Sequence, residues 1–106
     1  MLSPSQEREI VERLGFLDPL RIFVFGSVAS GRAVKGESDV DLCVVVPDDR
    51  ESNYEKSVRA YKSLRGMRFP KDIVVRHLSE FEKRRLWQSS LEREVAETGR
   101  ILFERG

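Results

Sequence analysis

The sequence predicts one small domain of the α/β (α+β) class, with helices and strands in the order αβαβαβααβ. Short apolar runs rich in β-branched and aromatic residues recur along the chain, and segments with helical spacing of apolar residues separate them. A chain of 106 residues is long enough to bury one core and too short for two. No internal repeat or long linker divides it, so residues 1–106 are predicted to form a single domain.

The first half of the chain is predicted to form two helices, each followed by a strand. Ser3 predicts the start of the first helix, because a serine cap followed by proline and then glutamine satisfies unpaired helical amides, and Gly15 ends that helix. Apolar residues predict strands at 20–25 and 40–46, with about two helical turns between them at 27–33. The second strand ends in an unbroken apolar run, which is typical of a strand covered on both faces.

The second half is predicted to form a helix, a strand, two more helices and a last strand. The segment 47–51 contains a capping signal, and Tyr54, Val58, Tyr61 and Leu64 then form an apolar stripe that we expect to face the core. The remaining predicted elements are a strand in KDIVVRHL (71–78), helices opened by Ser79 (through Trp87) and by Ser89, and a strand at 101–103.

Composition excludes several classes of protein. Nineteen Lys and Arg against eighteen Asp and Glu leave a net charge of +1. The chain therefore lacks the excess of basic residues that would indicate nucleic-acid binding. No apolar run approaches the roughly 20 residues that span a bilayer, and charged residues follow Met1–Pro4 where a signal peptide would be apolar. The single cysteine excludes an intramolecular disulfide. We therefore expect a cytoplasmic protein that does not bind membranes.

Four features are interpreted as structural. Cys43 lies inside an apolar strand and is expected in the core, and His77 has no histidine or cysteine partner at ligand spacing, so a surface or capping role is expected. The basic run 83–85 is interpreted as a solvated helix face. For Trp87, packing under the last helix and participation in an interface both remain open.

Aspartates mark the entry of two predicted strands. Asp39 and Asp41 are two residues apart, so in a strand their carboxylates project from the same face and repel each other. Mg²⁺ would relieve that repulsion, because it prefers oxygen ligands and shares its shell between one or two carboxylates and substrate phosphates. If the strand that Asp72 opens lies beside the second, three carboxylates converge, enough for two ions in a phosphoryl transfer. A solvated strand entry is the alternative for Asp39 and Asp41 alone.

The step Gly26-Ser27 ends the first strand abruptly. Glycine lets the backbone approach a ligand, and a serine that starts a helix offers its hydroxyl and amide dipoles to a phosphate. A tight turn alone would explain this pair, but its conjunction with the aspartates favours a site for a metal and a nucleotide. Two other phosphate motifs do not fit: a P-loop needs lysine at Arg32 and a hydroxyl at Ala33, and in phosphoaspartate hydrolases the apolar strand precedes the aspartate pair.

Taken together, these motifs resemble the DNA polymerase β-like nucleotidyltransferase superfamily and, in size and order, its stand-alone minimal nucleotidyltransferases. The family pattern appears here as Gly26-Ser27, Gly31, the segment SDVDL (38–42) and the later Asp72. The tail SLEREVAETGRILFER also resembles the ending of such proteins, so the resemblance covers nearly the whole chain. It implies the polymerase β-like fold, a small mixed sheet packed with helices.

The resemblance also implies an activity, the Mg²⁺-dependent transfer of a nucleoside monophosphate, with AMP expected, from ATP or another NTP to an acceptor hydroxyl. The residues that it places in metal binding and catalysis are Asp39, Asp41 and Asp72, and those that it places at the nucleotide are Gly26, Ser27, Arg32 and Ser38. Two ions are expected. Asp72 is also expected to help deprotonate the acceptor.

Larger members of the superfamily carry further domains that hold the acceptor, so here a partner or a second subunit is expected to do so. Minimal nucleotidyltransferases are often paired with small helical HEPN proteins, and the leading expectation is the antitoxin of a HEPN/MNT toxin–antitoxin pair. Two alternatives stay open, a non-catalytic antitoxin that acts by binding and a regulatory nucleotide-binding module. A homodimer also stays open.

Overall fold

The computed structural model describes residues 2–26, 29 and 39–105 of the chain. The helix predicted at 27–33 therefore lies outside the described residues, and the other predicted elements are present in the predicted order. In chain order they are α1 (Pro4–Arg13), a short 3-10 helix (Gly15–Leu17), β1 (Arg21–Phe25), β2 (Val40–Val46), α2 (Asn53–Ser63), β3 (Lys71–His77), α3 (Leu78–Arg84), α4 (Leu91–Thr98) and β4 (Arg100–Glu104).

The four strands form one mixed sheet in the order β3-β2-β1-β4. β1 runs antiparallel to both of its neighbours, whereas β2 and β3 are parallel and are joined through α2. A parallel pair needs such a crossover, because the chain must return to the same end of the sheet before the next strand begins. The predicted mixed sheet packed with helices, of the α+β class, is thereby confirmed. Within the described ranges, no helix has both the length and the apolar character that crossing a bilayer requires.

Each face of the sheet has its own apolar core. Side chains alternate between the faces along a strand, so β2 contributes to both cores and is buried along nearly its whole length, as its sequence predicted. The core under α1 and α2 includes Ile10, Leu14, Leu42, Val44 and Leu64. The core under α3 and α4 includes Phe23, Cys43, Val45, Phe81 and Val95, and the rings of Phe23 and Phe81 stack with centroids 5.8 Å apart. Cys43 lies in the core as predicted, and burial raises the pKa of its thiol to about 12.

The first predicted helix cap is confirmed and two others are displaced. Ser3 and Gln6 form the predicted capping box of α1. The cap of α2 is Ser52, not a residue of 47–51, and the cap of α4 is Ser90, not Ser89. A cap must accept a hydrogen bond from the third amide of its helix, and these two serines do so from Glu55 and Arg93. α3 begins one residue before Ser79 and ends at Arg84, so Trp87 lies beyond it, and its ring is about half exposed.

The predicted core stripe of α2 is confirmed at Leu64 and wrong at its two tyrosines. Tyr54 is 76% exposed and Tyr61 39% exposed, whereas Lys56 and Ala60 face the protein interior together with Leu64. The helix can turn this face inward because the buried amine of Lys56 forms an ion pair with the Asp49 carboxylate beyond the end of β2. A lysine at the centre of a buried stripe carries no apolar signal in the sequence.

The carboxylate of Asp49 also contacts His77, with 3.0 Å between Oδ1 of Asp49 and Nε2 of His77. Hydrogen bonds from Lys56 and then from His77 lower the pKa of Asp49 to about 2. The folded state therefore binds this proton less tightly than the unfolded chain, whose aspartates titrate near pH 3.9. The resulting stabilisation is complete above about pH 4 and is lost as the pH falls towards 2.

Asp49→Asn is expected to lower the melting temperature at pH 7, because the variant leaves the buried Lys56 amine without its anionic partner. The gap between wild type and variant should close as the pH falls from about 4 to about 2, where the wild-type carboxyl becomes protonated. Thermal denaturation of both proteins from pH 7 to pH 2 measures this gap. Curves that stay parallel down to pH 2 would contradict the assignment.

Candidate active site

Three chain segments meet at one end of the central strands. Since β1 and β2 are antiparallel, the end of β1 adjoins the start of β2, and Phe25 pairs with Asp41. Since β2 and β3 are parallel, their starts adjoin, and Asp41 pairs with Asp72. The sheet topology therefore places Gly26, Asp41 and Asp72 next to one another, as expected if the third strand lies beside the second.

The two strand aspartates share a face of the sheet. Neighbouring side chains of a strand project from opposite faces, so Asp41 projects from the face opposite to Leu42. This is the face of Cys43, which belongs to the core under α3 and α4. Asp72 precedes Ile73, which belongs to the opposite core, and so it lies on the same side as Asp41. Asp39 is exposed and comes just before β2, two residues from Asp41. Side by side on one face, these carboxylates can bind the same cation.

Gly26 leaves the space that the Asp41 carboxylate occupies. Its φ angle is +75°, in the left-handed region that favours glycine. A Cβ atom built on Gly26 would overlap Oδ2 of Asp41, so any other residue would force that carboxylate to move. The glycine predicted to let the backbone approach a phosphate also has a structural role, the positioning of Asp41.

The Asp41 carboxylate lies in an environment that disfavours its charge. Partial burial raises the pKa of Asp41, and repulsion from Asp72, Asp39 and Glu94, in that order, raises the pKa further. Glu94 lies in α4, on the helix layer that faces this side of the sheet, and sequence reasoning did not identify it. No local motif could have done so, because its approach depends on how α4 packs. The negative charge at this point is what a bound cation would neutralise.

Tyr61 is a further residue of the site, and the sequence placed it wrongly in the core of α2. Its hydroxyl donates a hydrogen bond to Oδ1 of Asp72 over 2.7 Å. Burial raises the pKa of Tyr61, and the hydrogen bond to the Asp72 carboxylate raises the pKa further. The phenol therefore keeps its proton at neutral pH. The sequence did contain one signal for this contact, the tyrosine hydroxyl, because the hydroxyl of a tyrosine that packs against the protein needs a hydrogen-bond partner.

The carboxylates suit a cation that is shared with a substrate. Among residues 2–26, 29 and 39–105, no three acidic, histidine or cysteine side chains form a ready-made metal cage. Mg²⁺ rarely needs one, since one or two carboxylates, several waters and substrate phosphates complete its shell. The mutual repulsion at Asp41 fits such an ion, and the absence of a side chain at Gly26 lets the Asp41 carboxylate take its position. Three of the predicted nucleotide contacts, Ser27, Arg32 and Ser38, lie outside the described residues.

The mixed sheet and the aspartates at its strand entries are the features expected of a nucleotidyltransferase. Residues 7–102 match the family model for the nucleotidyltransferase domain. The chain therefore belongs to the nucleotidyltransferase family and is a transferase of this class, which confirms the family that its motifs predicted. No curated protein matches the chain.

Several solved structures have a similar fold. A toxin–antitoxin structure with AMP-PNP has a TM-score of 0.63 at 22% identity, covering 93% of this chain and 73% of that one. A mutant of the toxin–antitoxin MntA-HpeT has a TM-score of 0.62 at 18% identity, with the same coverage of 93% and 73%. A putative nucleotidyltransferase from Sulfolobus solfataricus has a TM-score of 0.61 at 21% identity, covering 93% and 77%. At these identities the likeness establishes the fold.

Proposed function

We propose that this protein transfers a nucleoside monophosphate from an NTP, with ATP as the expected donor, to a hydroxyl group on a partner protein, as the antitoxin of a toxin–antitoxin pair. The observation that carries the proposal is the pairing of Asp41 with Asp72 beside Gly26, in a chain that matches the nucleotidyltransferase family model. A site that only bound its partner would not need adjacent, mutually repelling carboxylates on two strands.

In the proposed reaction, the acceptor oxygen attacks the α-phosphorus of the NTP. A bond forms between that oxygen and the phosphorus, the bond from the α-phosphorus to the bridging oxygen breaks, and pyrophosphate leaves. Mg²⁺ would supply charge neutralisation on the phosphate oxygens and orient the two reacting groups. Asp39 and Asp41 would hold the cation, and Asp72 would complete the site and accept the proton of the acceptor hydroxyl.

The remaining contacts that the transfer needs are assigned to residues that the sequence predicted. Gly26 lets the backbone approach the triphosphate, and Ser27, Arg32 and Ser38 are proposed to bind its oxygens. The charge of Glu94, in α4, adds to the negative field at Asp41. That field favours a cation between the carboxylates and the triphosphate.

A partner protein is proposed on the basis of the neighbours that share this fold. Two structures with the same fold are of toxin–antitoxin systems, one of them with AMP-PNP. These neighbours support a toxin as the partner and an adenine nucleotide as the donor. A small helical protein of the HEPN type is the proposed acceptor.

The test incubates the protein with Mg²⁺, each of the four NTPs and the product of the neighbouring gene, and follows the intact mass of that product. We expect a mass increase of one nucleoside monophosphate that requires Mg²⁺ and is absent with Asp41→Ala. No adduct with any NTP, or an adduct that persists with Asp41→Ala, would rule the proposal out.

A parallel assay separates catalysis from binding. If the protein acts as an enzyme, Asp39→Ala and Asp41→Ala should both lose the ability to neutralise the partner in cells. Full neutralisation by both variants would instead identify a non-catalytic antitoxin. Binding of ATP without turnover would identify a regulatory module.

A further inference from the structure

The hydroxyl of Tyr61 joins two residues of the third strand. It donates to Oδ1 of Asp72 over 2.7 Å and accepts from the backbone N–H of Ile73 over 3.1 Å. The carbonyl oxygen of Lys71 lies farther away, at 3.5 Å, which is at the limit of a hydrogen bond. The short contact to the carboxylate is therefore the main interaction of the phenolic proton.

The backbone contact determines the direction of the carboxylate contact. A phenolic hydroxyl has one proton, and an N–H group can only donate. Because Ile73 donates to the Tyr61 oxygen, the Tyr61 proton is free to be given to Asp72. Hydrogen bonds of this kind, from a neutral donor to an ionised acceptor, are among the stronger ones in proteins.

The edge position of β3 explains why a side chain makes this contact. Among the residues that the structure describes, β3 is the last strand on its side of the sheet, so there the N–H of Ile73, which points away from β2, has no further strand to pair with. Tyr61 reaches from α2, on the other face of the sheet, around this edge and satisfies that N–H. The same hydroxyl thereby becomes anchored to the backbone next to Asp72.

We propose that Tyr61 is a positioning residue of the active site, which holds the Asp72 carboxylate in the orientation required for cation binding and transfer. The inference rests on the proposed function and adds a residue to its site. Tyr61 donates to Oδ1, which leaves Oδ2 of Asp72 free of this contact and available to the cation or the acceptor. Partners of this kind, one step removed from the cation, orient ligating carboxylates in many metal sites.

The test compares Tyr61→Phe with Tyr54→Phe, which makes the same chemical change on the same helix at a largely exposed position. The measurement is the dissociation constant of Mn²⁺ in the presence of AMP-PNP, by calorimetry, so it needs no acceptor. We expect Tyr61→Phe to weaken Mn²⁺ binding roughly 10- to 100-fold and Tyr54→Phe to bind as the wild type does. Transfer assays at saturating Mg²⁺ and ATP should show a lower kcat for Tyr61→Phe than for Tyr54→Phe.

A double-mutant cycle with Asp72→Ala separates positioning from a general effect on folding. If Tyr61 acts through Asp72, Tyr61→Phe should weaken Mn²⁺ binding no further in the Asp72→Ala background. If Tyr61→Phe keeps the wild-type Mn²⁺ affinity and kcat, the role of Tyr61 is overturned and the proposed function is not. The same holds if Tyr61→Phe weakens Mn²⁺ binding just as much in the Asp72→Ala background. A wild-type protein that binds no Mn²⁺ would overturn the proposed function and, with it, the role of Tyr61.

Discussion

Asp41→Asn is expected to abolish nucleotide transfer while leaving the protein at least as stable as the wild type. The asparagine has nearly the same shape and still fits beside Gly26, but it lacks the charge that binds a cation. Charge neutralisation by a metal is worth several kcal/mol in the transition state, and each 1.36 kcal/mol is a factor of ten. The expected loss of kcat is therefore roughly a thousandfold or more, measured as nucleotide incorporated into the partner.

The stability half of this prediction follows from the raised pKa of Asp41. The folded state binds this proton more tightly than the unfolded chain does, so ionisation of Asp41 lowers the stability of the wild type as the pH rises through the raised pKa. The asparagine variant escapes this loss. Without Mg²⁺, its melting temperature should rise relative to the wild type between about pH 4 and neutral pH.

Asp48→Asn is the matched control for Asp41→Asn, because Asp48 lies beyond the opposite end of β2 and accepts a hydrogen bond from the backbone N–H of Ser79. It should transfer nucleotide at the wild-type rate. Wild-type activity in Asp41→Asn, or equal losses in the two variants, would refute the assignment of Asp41 to the site.

Gly26→Ala is expected to destabilise the fold and to displace the Asp41 carboxylate. A residue with a Cβ costs about 1–2 kcal/mol in the left-handed region that Gly26 occupies. Overlap with Oδ2 of Asp41 adds the cost of overpacking, typically about 1–3 kcal/mol. We therefore expect the free energy of unfolding to fall by about 2–5 kcal/mol, measured by urea denaturation, and Mn²⁺ binding to weaken.

Gly66→Ala supplies the matched control for the backbone part of this effect. Gly66 also has a positive φ angle, +95°, but a Cβ built there meets nothing within 4 Å. The free energy of unfolding of Gly66→Ala should fall only by the cost of the backbone conformation, about 1–2 kcal/mol. In an Asp41→Ala background, where the overlapping oxygen is gone, Gly26→Ala should cost no more than Gly66→Ala does. Equal losses from the two glycine substitutions in the wild-type background would show that Gly26 does not position Asp41.

Local sequence signals predicted those elements whose cause is local. The apolar runs 42–46 and 73–75 indicated two strands, predicted at 40–46 and in 71–78, and the structure has them at Val40–Val46 and Lys71–His77. Two helix caps were displaced, because serine and aspartate occur at several neighbouring positions that could each cap a helix. Packing of the helix against the sheet selects among them.

The residues at the site also fall into two groups, those that the sequence indicated and those that it did not. Asp39, Asp41, Asp72 and the glycine step were predictable as candidates, because carboxylates at strand entries and a glycine at a strand end are unusual residues for those positions. Tyr61 and Glu94 were not. Tyr61 looked like a core residue because its ring fits an apolar stripe, and Glu94 is one of many acids on helix surfaces.

By itself, the sequence determined the element order, the two central strands and the candidate residues for binding a cation and a phosphate. Only the tertiary structure decided that β3 lies parallel to β2 with Asp72 beside Asp41, that Gly26 leaves room for the Asp41 carboxylate, and that Tyr61 reaches Asp72 around the sheet edge. The physical reason is distance along the chain. Local propensities act between near neighbours, whereas each of these contacts joins residues at least eleven positions apart, as Tyr61 and Asp72 are, and such contacts form only when the sheet assembles.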